Sequence, residues 1–169
     1  MRDFVHHSFF LLSFLFFSTS ANAQIQLGGG LTFANGDNLS RLGLNFRGTY
    51  EINEKLLAAP GISFFFKDKS LRDAAVSYLS IDLDARYKLI EMGEDLEIYP
   101  VGGLNLFNVK IDGDASLPII EEGFDVGINL GLGAQLASQT SSLSYFGEFK
   151  FRVGGEVNST ITAGVLYGF

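Results

Sequence analysis

Beyond about residue 24 the chain alternates, apolar against polar, over most of its length. Leu42, Leu44, Phe46, Gly48, Tyr50 and Ile52 share one parity, and Arg41, Gly43, Asn45, Arg47, Thr49 and Glu51 the other. Leu79, Ile81, Leu83, Ala85, Tyr87 and Leu89 repeat the pattern against Ser80, Asp82, Asp84, Arg86 and Lys88. Tyr145, Phe149 and Phe151 do the same against Ser144, Glu148, Lys150 and Arg152. A period of two sustained this way is the signature of strands with two unlike faces. Eight strands are predicted, over about 24–34, 41–52, 56–67, 75–89, 96–110, 124–137, 143–153 and 160–169. In the third, Phe65 falls opposite Phe64 and Phe66, which leaves its register open; in the fifth, a bulge is expected after Phe107. Asn53-Glu54, 91–95 and 138–142 read as short turns, and 35–40, 68–74, 111–123 and 154–159 as longer connections.

No apolar run after Gln24 reaches the length of a spanning helix, so any membrane crossing has to be made by a closed sheet. The expected fold is all-β: an eight-stranded antiparallel up-and-down barrel. The lumen of such a barrel is only wide enough to be filled by side chains. The polar parity carries Arg47, Glu51, Asp82, Asp84, Arg86, Lys88, Glu97, Asp125, Glu148, Lys150 and Arg152, six acids and five bases. The other parity is bulky and uncharged. Inward glycines (Gly43, Gly103, Gly127, Gly131 and Gly133) leave room for long charged partners, whereas inward Phe46, Tyr50, Leu83, Tyr87, Phe149 and Phe151 would overfill the space. The greasy face is therefore expected outward, against lipid, where charge costs about 2–4 kcal/mol at midplane. Tyr50, Tyr87, Tyr145 and Tyr167 lie on that face near short turns or the chain end, as an interfacial girdle does. Short turns then mark the periplasmic end, longer loops the exterior.

Composition sharpens this picture at a few points. The first residues read as an address: Arg2, His6 and His7 precede an apolar run of about nine residues, too short to span a bilayer. Ala21 and Ala23 supply the small-x-small pattern of a signal cleavage site, so residues 1–23 are read as a signal peptide and Gln24–Phe169 as one barrel domain. Net charge is −7, which argues against a nucleic-acid surface. Cysteine is absent and the only histidines are His6 and His7, which closes the usual routes to an activated serine or thiol; no catalysis, cofactor or metal is expected. Asp82 and Asp84, at i and i+2, point to one face. They read as a salt-bridge ladder with Arg86 and Lys88 in preference to a proton or cation site. Glu97 is expected opposite Lys88, and Asp125 as a partner for Arg152. Near-neutral interlocked charge suggests a plug more than an ion-selective pore. The acidic stretch Asp112, Asp114, Glu121 and Glu122 reads as a solvated loop, and Gly28-Gly29-Gly30 lacks the helix and lysine of a phosphate cradle.

The last strand, Thr160 to Phe169, alternates outward through Ile161, Ala163, Val165 and Tyr167 to a terminal Phe169. With the signal segment and Tyr99-Pro100-Val101-Gly102-Gly103-Leu104, the chain resembles the outer-membrane protein β-barrel domain family, the OmpA- and OmpX-like small barrels. The resemblance implies insertion in a bacterial outer membrane, with Val165, Tyr167 and Phe169 read by the outer-membrane assembly machinery. Lipid and lipopolysaccharide are the implied surroundings, and a monomer the expected state. A structural or surface-interaction role follows, with two rivals: a narrow porin-like channel for small solutes, and a soluble periplasmic barrel that binds lipid inside.

Overall fold

The computed structural model describes residues 25–36, 39–68, 75–93, 95–112, 123–154 and 157–169. The signal segment with Ala21, Ala23 and Gln24, and the acidic residues Asp114, Glu121 and Glu122, lie outside them. The strands are β1 (Ile25–Gly36), β2 (Leu39–Glu51), β3 (Leu56–Asp68), β4 (Ala75–Tyr87), β5 (Ile90–Met92), β6 (Leu96–Asp112), β7 (Gly123–Ala137), β8 (Leu143–Val153) and β9 (Val157–Gly168). All neighbours are antiparallel, β1 pairs with both β2 and β9, and β4 pairs with β6, so eight strands close into a barrel. The path leaving Ile25 through Tyr50, Ala58, Ala85, Gly102, Leu130, Phe151 and Ser159 returns to β1 at Asn35. That stagger is what tilts the strands, typically by about 35–45°. The ends are clasped: the Phe169 N–H donates to the Ile25 carbonyl at 3.0 Å, and that of Gly168 to Ser142 at 2.9 Å.

The sheet faces divide as the alternation requires. Phe46, Leu83 and Phe149 are 53%, 54% and 39% exposed, whereas Arg47, Asp84 and Lys150 retain 8%, 7% and 4%. β3 has Pro60, Phe64 and Phe66 outward and Phe65 inward. An inward phenylalanine fits there because Gly43, opposite it on β2, has no side chain; a Cβ would press on the Phe65 ring.

One expectation about register and one about connection length are corrected. β6 keeps one unbroken register with β7 from Leu96 to Val109 and with β4 from Val101 to Asp112, so there is no bulge after Phe107. Phe107 continues the inward parity of Tyr99 and Asn105 because the lumen at that level accepts aromatic rings. The bulge lies instead at Lys88–Leu89: Arg86 faces Val101 while Ile90 faces Ile98, one residue more on the first strand than on the second. That insertion flips the parity, and Leu89 and Ile90 are both exposed. β5 is thus the continuation of the fourth strand, ending at a turn where Gly93 takes a positive φ of 71°. The other correction is at the far end. β1 runs to Gly36, β2 starts at Leu39 and β9 starts at Val157, so those two connections are shorter than read from sequence. The cause is that polar Asn35, Ser40 and Ser159 pair as strand residues at the rim (Asn35 with Ser40 and with Ser159), where a turn composition was read.

Candidate functional site

The lumen is the part of the molecule where chemistry-bearing side chains converge, and its contents are layered. Counted from the short-turn end, the first layer holds Glu51 (β2), Lys88 and Glu97 (β6), with Lys88 Nζ 4.0 Å from Glu51 Oε2 and 3.9 Å from Glu97 Oε2. Gln135 Nε2 donates there to Gln26 Oε1 (3.1 Å) and Ser144 Oγ (3.0 Å). These groups are partly hydrated, and the pairs are loose.

Above them the side chains are buried. Glu148 on β8 takes Arg47 Nη1 on Oε2 at 2.6 Å and Arg86 Nη2 on Oε1 at 2.7 Å, and Tyr99 Oη donates to Oε1 at 3.1 Å. The Arg47 guanidinium lies 4.3 Å from the Phe146 ring centroid and that of Arg86 4.8 Å from Tyr99. Such stacking covers the faces of planar cations whose edges are hydrogen-bonded. The space is made by Gly133, where a Cβ would collide with Tyr99 and with Glu148 Cγ.

The third layer inverts the charge. Lys150 Nζ sits 3.0 Å from Asp82 Oδ2 and 2.8 Å from Asp84 Oδ2. Asn129 Nδ2 donates to Asp82 Oδ1 (2.8 Å) and Asp84 Oδ1 (2.9 Å), and Asn105 Nδ2 to Asp82 Oδ1 (2.6 Å). Glu148, Asp82 and Asp84 thus face Arg47, Arg86 and Lys150, three charges of each sign in two stacked clusters of opposite excess. The two clusters balance each other's charge, which offsets part of the cost of burying them.

The fourth layer is cationic and aromatic. Arg41 lies 4.2 Å over the Tyr78 ring and Arg152 4.5 Å over Phe107. Tyr78 and Phe107 lie 5.5 Å apart with their rings tilted by 31°, and Phe65 meets Phe107 at 6.5 Å. Between the third and fourth layers the lumen keeps a cavity of about 10 Å³, lined by Asp82, Asn105, Asn129, Lys150 and Arg152 among others. That is room for roughly one water molecule.

The ladder read from sequence is corrected in one respect. Asp82 and Asp84 reach across the lumen to Lys150, not along their own strand to Arg86 and Lys88; neighbours at i and i+2 project in parallel, whereas side chains from opposite walls meet tip to tip. Arg86 pairs with Glu148, and Lys88 lies near Glu97 and Glu51. Asp125 is exposed at the outer rim, opposite Phe107 in register, while Arg152 is buried. The interior network read from sequence leaves out Arg41, Tyr99, Asn105 and Asn129 and the inward aromatics Tyr78, Phe107 and Phe146, while Phe65 faces in as its odd parity suggests. Parity alone marks all of them, since each falls in step with an inward charge or glycine.

Outside, the four girdle tyrosines share a level. Stepping round the staggered wall puts Tyr50, Tyr87, Tyr145 and Tyr167 within about one residue, ~3 Å, of a common height. Tyr87, Tyr145 and Tyr167 are exposed and Tyr50 partly so. Val165 and Phe169 are also outward, with Tyr167 and Phe169 in edge contact at 5.1 Å.

No protein-family model matches the chain, and no curated protein matches it. Solved structures do. Neisserial surface protein A superposes with a TM-score of 0.61 at 20% identity over 87% of this chain and 97% of that one. Ail, the attachment invasion locus protein of Yersinia pestis, gives 0.58 at 17% over 87% and 97%. The N-terminal β-barrel domain of Pseudomonas aeruginosa OprF gives 0.63 at 18% over 88% and 98%. At these identities the likeness is one of architecture, and it extends over nearly the whole of each barrel. The chain has the fold of the small eight-stranded outer-membrane barrels.

Proposed function

We propose that this chain is an integral outer-membrane protein with a structural or surface-interaction role and no catalytic one. The observation that carries the reading is the pairing of a bulky apolar exterior with a lumen closed by ion pairs. An exterior of that kind is stable in hydrocarbon and poorly soluble in water. The tyrosine ring at one level supports the same orientation, with the short turns, Ile25 and Phe169 on the periplasmic side. The lumen argues against a channel, because a permeating ion would have to break two charge clusters. It equally argues against a soluble lipid carrier, which needs the opposite sidedness and an empty interior. Val165, Tyr167 and Phe169 form an exposed apolar stripe on the last strand, and we assign to it the assembly signal.

Two measurements test this reading. The expressed protein should fractionate with detergent-extracted outer membranes and run on gels with a mobility that changes on boiling. Refolded protein in planar bilayers should give no resolvable unitary current. Recovery in the salt-soluble fraction with unchanged mobility would overturn the membrane reading, and steady ion-selective steps would replace the structural role with a channel.

A further inference from the structure

The outer wall is not uniformly paired. Between β2 and β3 the register runs through Arg47–Gly61 and resumes at Tyr50–Ala58, skipping Gly48–Pro60 and Thr49–Ala59. Both missing pairs depend on one hydrogen bond, from residue 60 to the carbonyl of Gly48, and proline has no N–H to give. On its other side Pro60 stays in register with Leu83 of β4. The Gly48 carbonyl is thereby left without its ladder donor, on a wall that faces the membrane.

Around that break lies an open groove of about 450 Å³. Leu27, Phe46, Ile62 and Leu83 wall it, Gly48 and Pro60 floor it, and Phe46 is braced by an edge contact with Phe64 at 6.5 Å. Gly48 points outward and has no side chain to fill the space. By register it stands about two residues, ~5 Å, inside the tyrosine ring. Water is scarce at that depth, so on the membrane reading the groove is filled by lipid.

We propose that this groove is a lipid site. It seats one acyl chain of a periplasmic-leaflet lipid, and the free Gly48 carbonyl favours a chain that carries a hydroxyl near its head. The proposal rests on the outer-membrane reading above. Small residues in a lipid-facing wall let a neighbouring chain approach the backbone closely, which is the contact that drives association where hydrophobicity cannot. A carbonyl stripped of its donor in hydrocarbon gains more from a hydroxyl than the same group in water. The chain's polar group enters at the level of the tyrosines, and its methylenes run past Phe46 and Leu83.

The test uses the protein refolded in phospholipid vesicles that contain a trace of a photoactivatable phospholipid, with and without a 3-hydroxyl on the labelled chain. Insertion is first established from heat-dependent gel mobility, so a protein that never inserts, which overturns the membrane reading and the site together, is told apart from one that inserts without a site. Labelled residues are mapped by mass spectrometry, comparing Leu27, Phe46, Ile62 and Leu83 with Leu130 and Phe151 on the opposite wall. The site predicts about fivefold enrichment in the groove, about threefold greater for the hydroxylated probe. Gly48→Leu fills the groove and abolishes the enrichment; Pro60→Val restores the donor and removes only the preference for the hydroxyl. Equal labelling of both walls, or equal labelling by both probes in the unaltered protein, overturns the proposal.

Discussion

Glu148→Gln should be among the most damaging conservative substitutions in this chain. Its carboxylate is almost fully enclosed and serves two guanidiniums, at 2.6 and 2.7 Å. At an effective dielectric of about 20, each contact carries roughly 6 kcal/mol of raw attraction. Desolvation of three ions offsets much of this, so the intact cluster adds little net stability. Removing the one negative partner is different, because Arg47 and Arg86 stay buried and repel each other. The expected cost is about 3–5 kcal/mol. With a urea slope of about 2 kcal/mol/M, the unfolding midpoint in vesicles falls by ~2 M. Two companions locate the cause. Glu51→Gln removes a partner 4.0 Å from Lys88 in the partly hydrated first layer and should cost about 1 kcal/mol or less. Replacing Glu148, Arg47 and Arg86 together by Met removes all three charges and should recover most of the loss. If Glu148→Gln shifts the midpoint no more than Glu51→Gln does, the lumen is wet and the closed-plug description is wrong.

Other expectations follow from the same geometry. On the proposed membrane reading, Leu83→Arg puts a charge on the outward, lipid-facing wall near midplane and should destabilise the barrel by about 2–4 kcal/mol, read from the same urea titration. Gly133→Val should cost about 1–3 kcal/mol or block refolding, since the Cβ meets Tyr99 and Glu148, whereas Gly147→Val, with open space around its Cβ, should be near neutral.

Much of this architecture was legible because alternation is a local property. The strands around Leu42–Ile52, Leu79–Tyr87 and Leu143–Val153 announce their two faces residue by residue, and chain closure then follows from the lack of any other way to satisfy a sheet in lipid. Registers were less legible. Phe65 and Phe107 break the polar parity, and only the neighbouring Gly43 and the Tyr78 ring explain why the lumen admits them. The bulge at Lys88–Leu89 leaves no mark in composition, since it is fixed by a one-residue difference between β4–β6 and β5–β6 pairing. Ion-pair partners were hidden for a related reason. Sequence places Asp82, Asp84, Arg86 and Lys88 on one strand face, but partners are chosen across the lumen, where β8 delivers Lys150 and Glu148. The gap opposite Pro60 was visible only as a proline in a strand; its consequence for Gly48 needed the pairing.

The chain contains no tryptophan, so a single one can report depth without background. Tryptophan placed in turn at Phe46, Leu83, Phe149 and Tyr99 should be measured in vesicles whose acyl chains carry bromine quenchers. The first three should be quenched strongly and the fourth, facing Glu148 inside the barrel, hardly at all. Quenching at position 99 with none at 46, 83 and 149 would turn the barrel inside out and contradict the account.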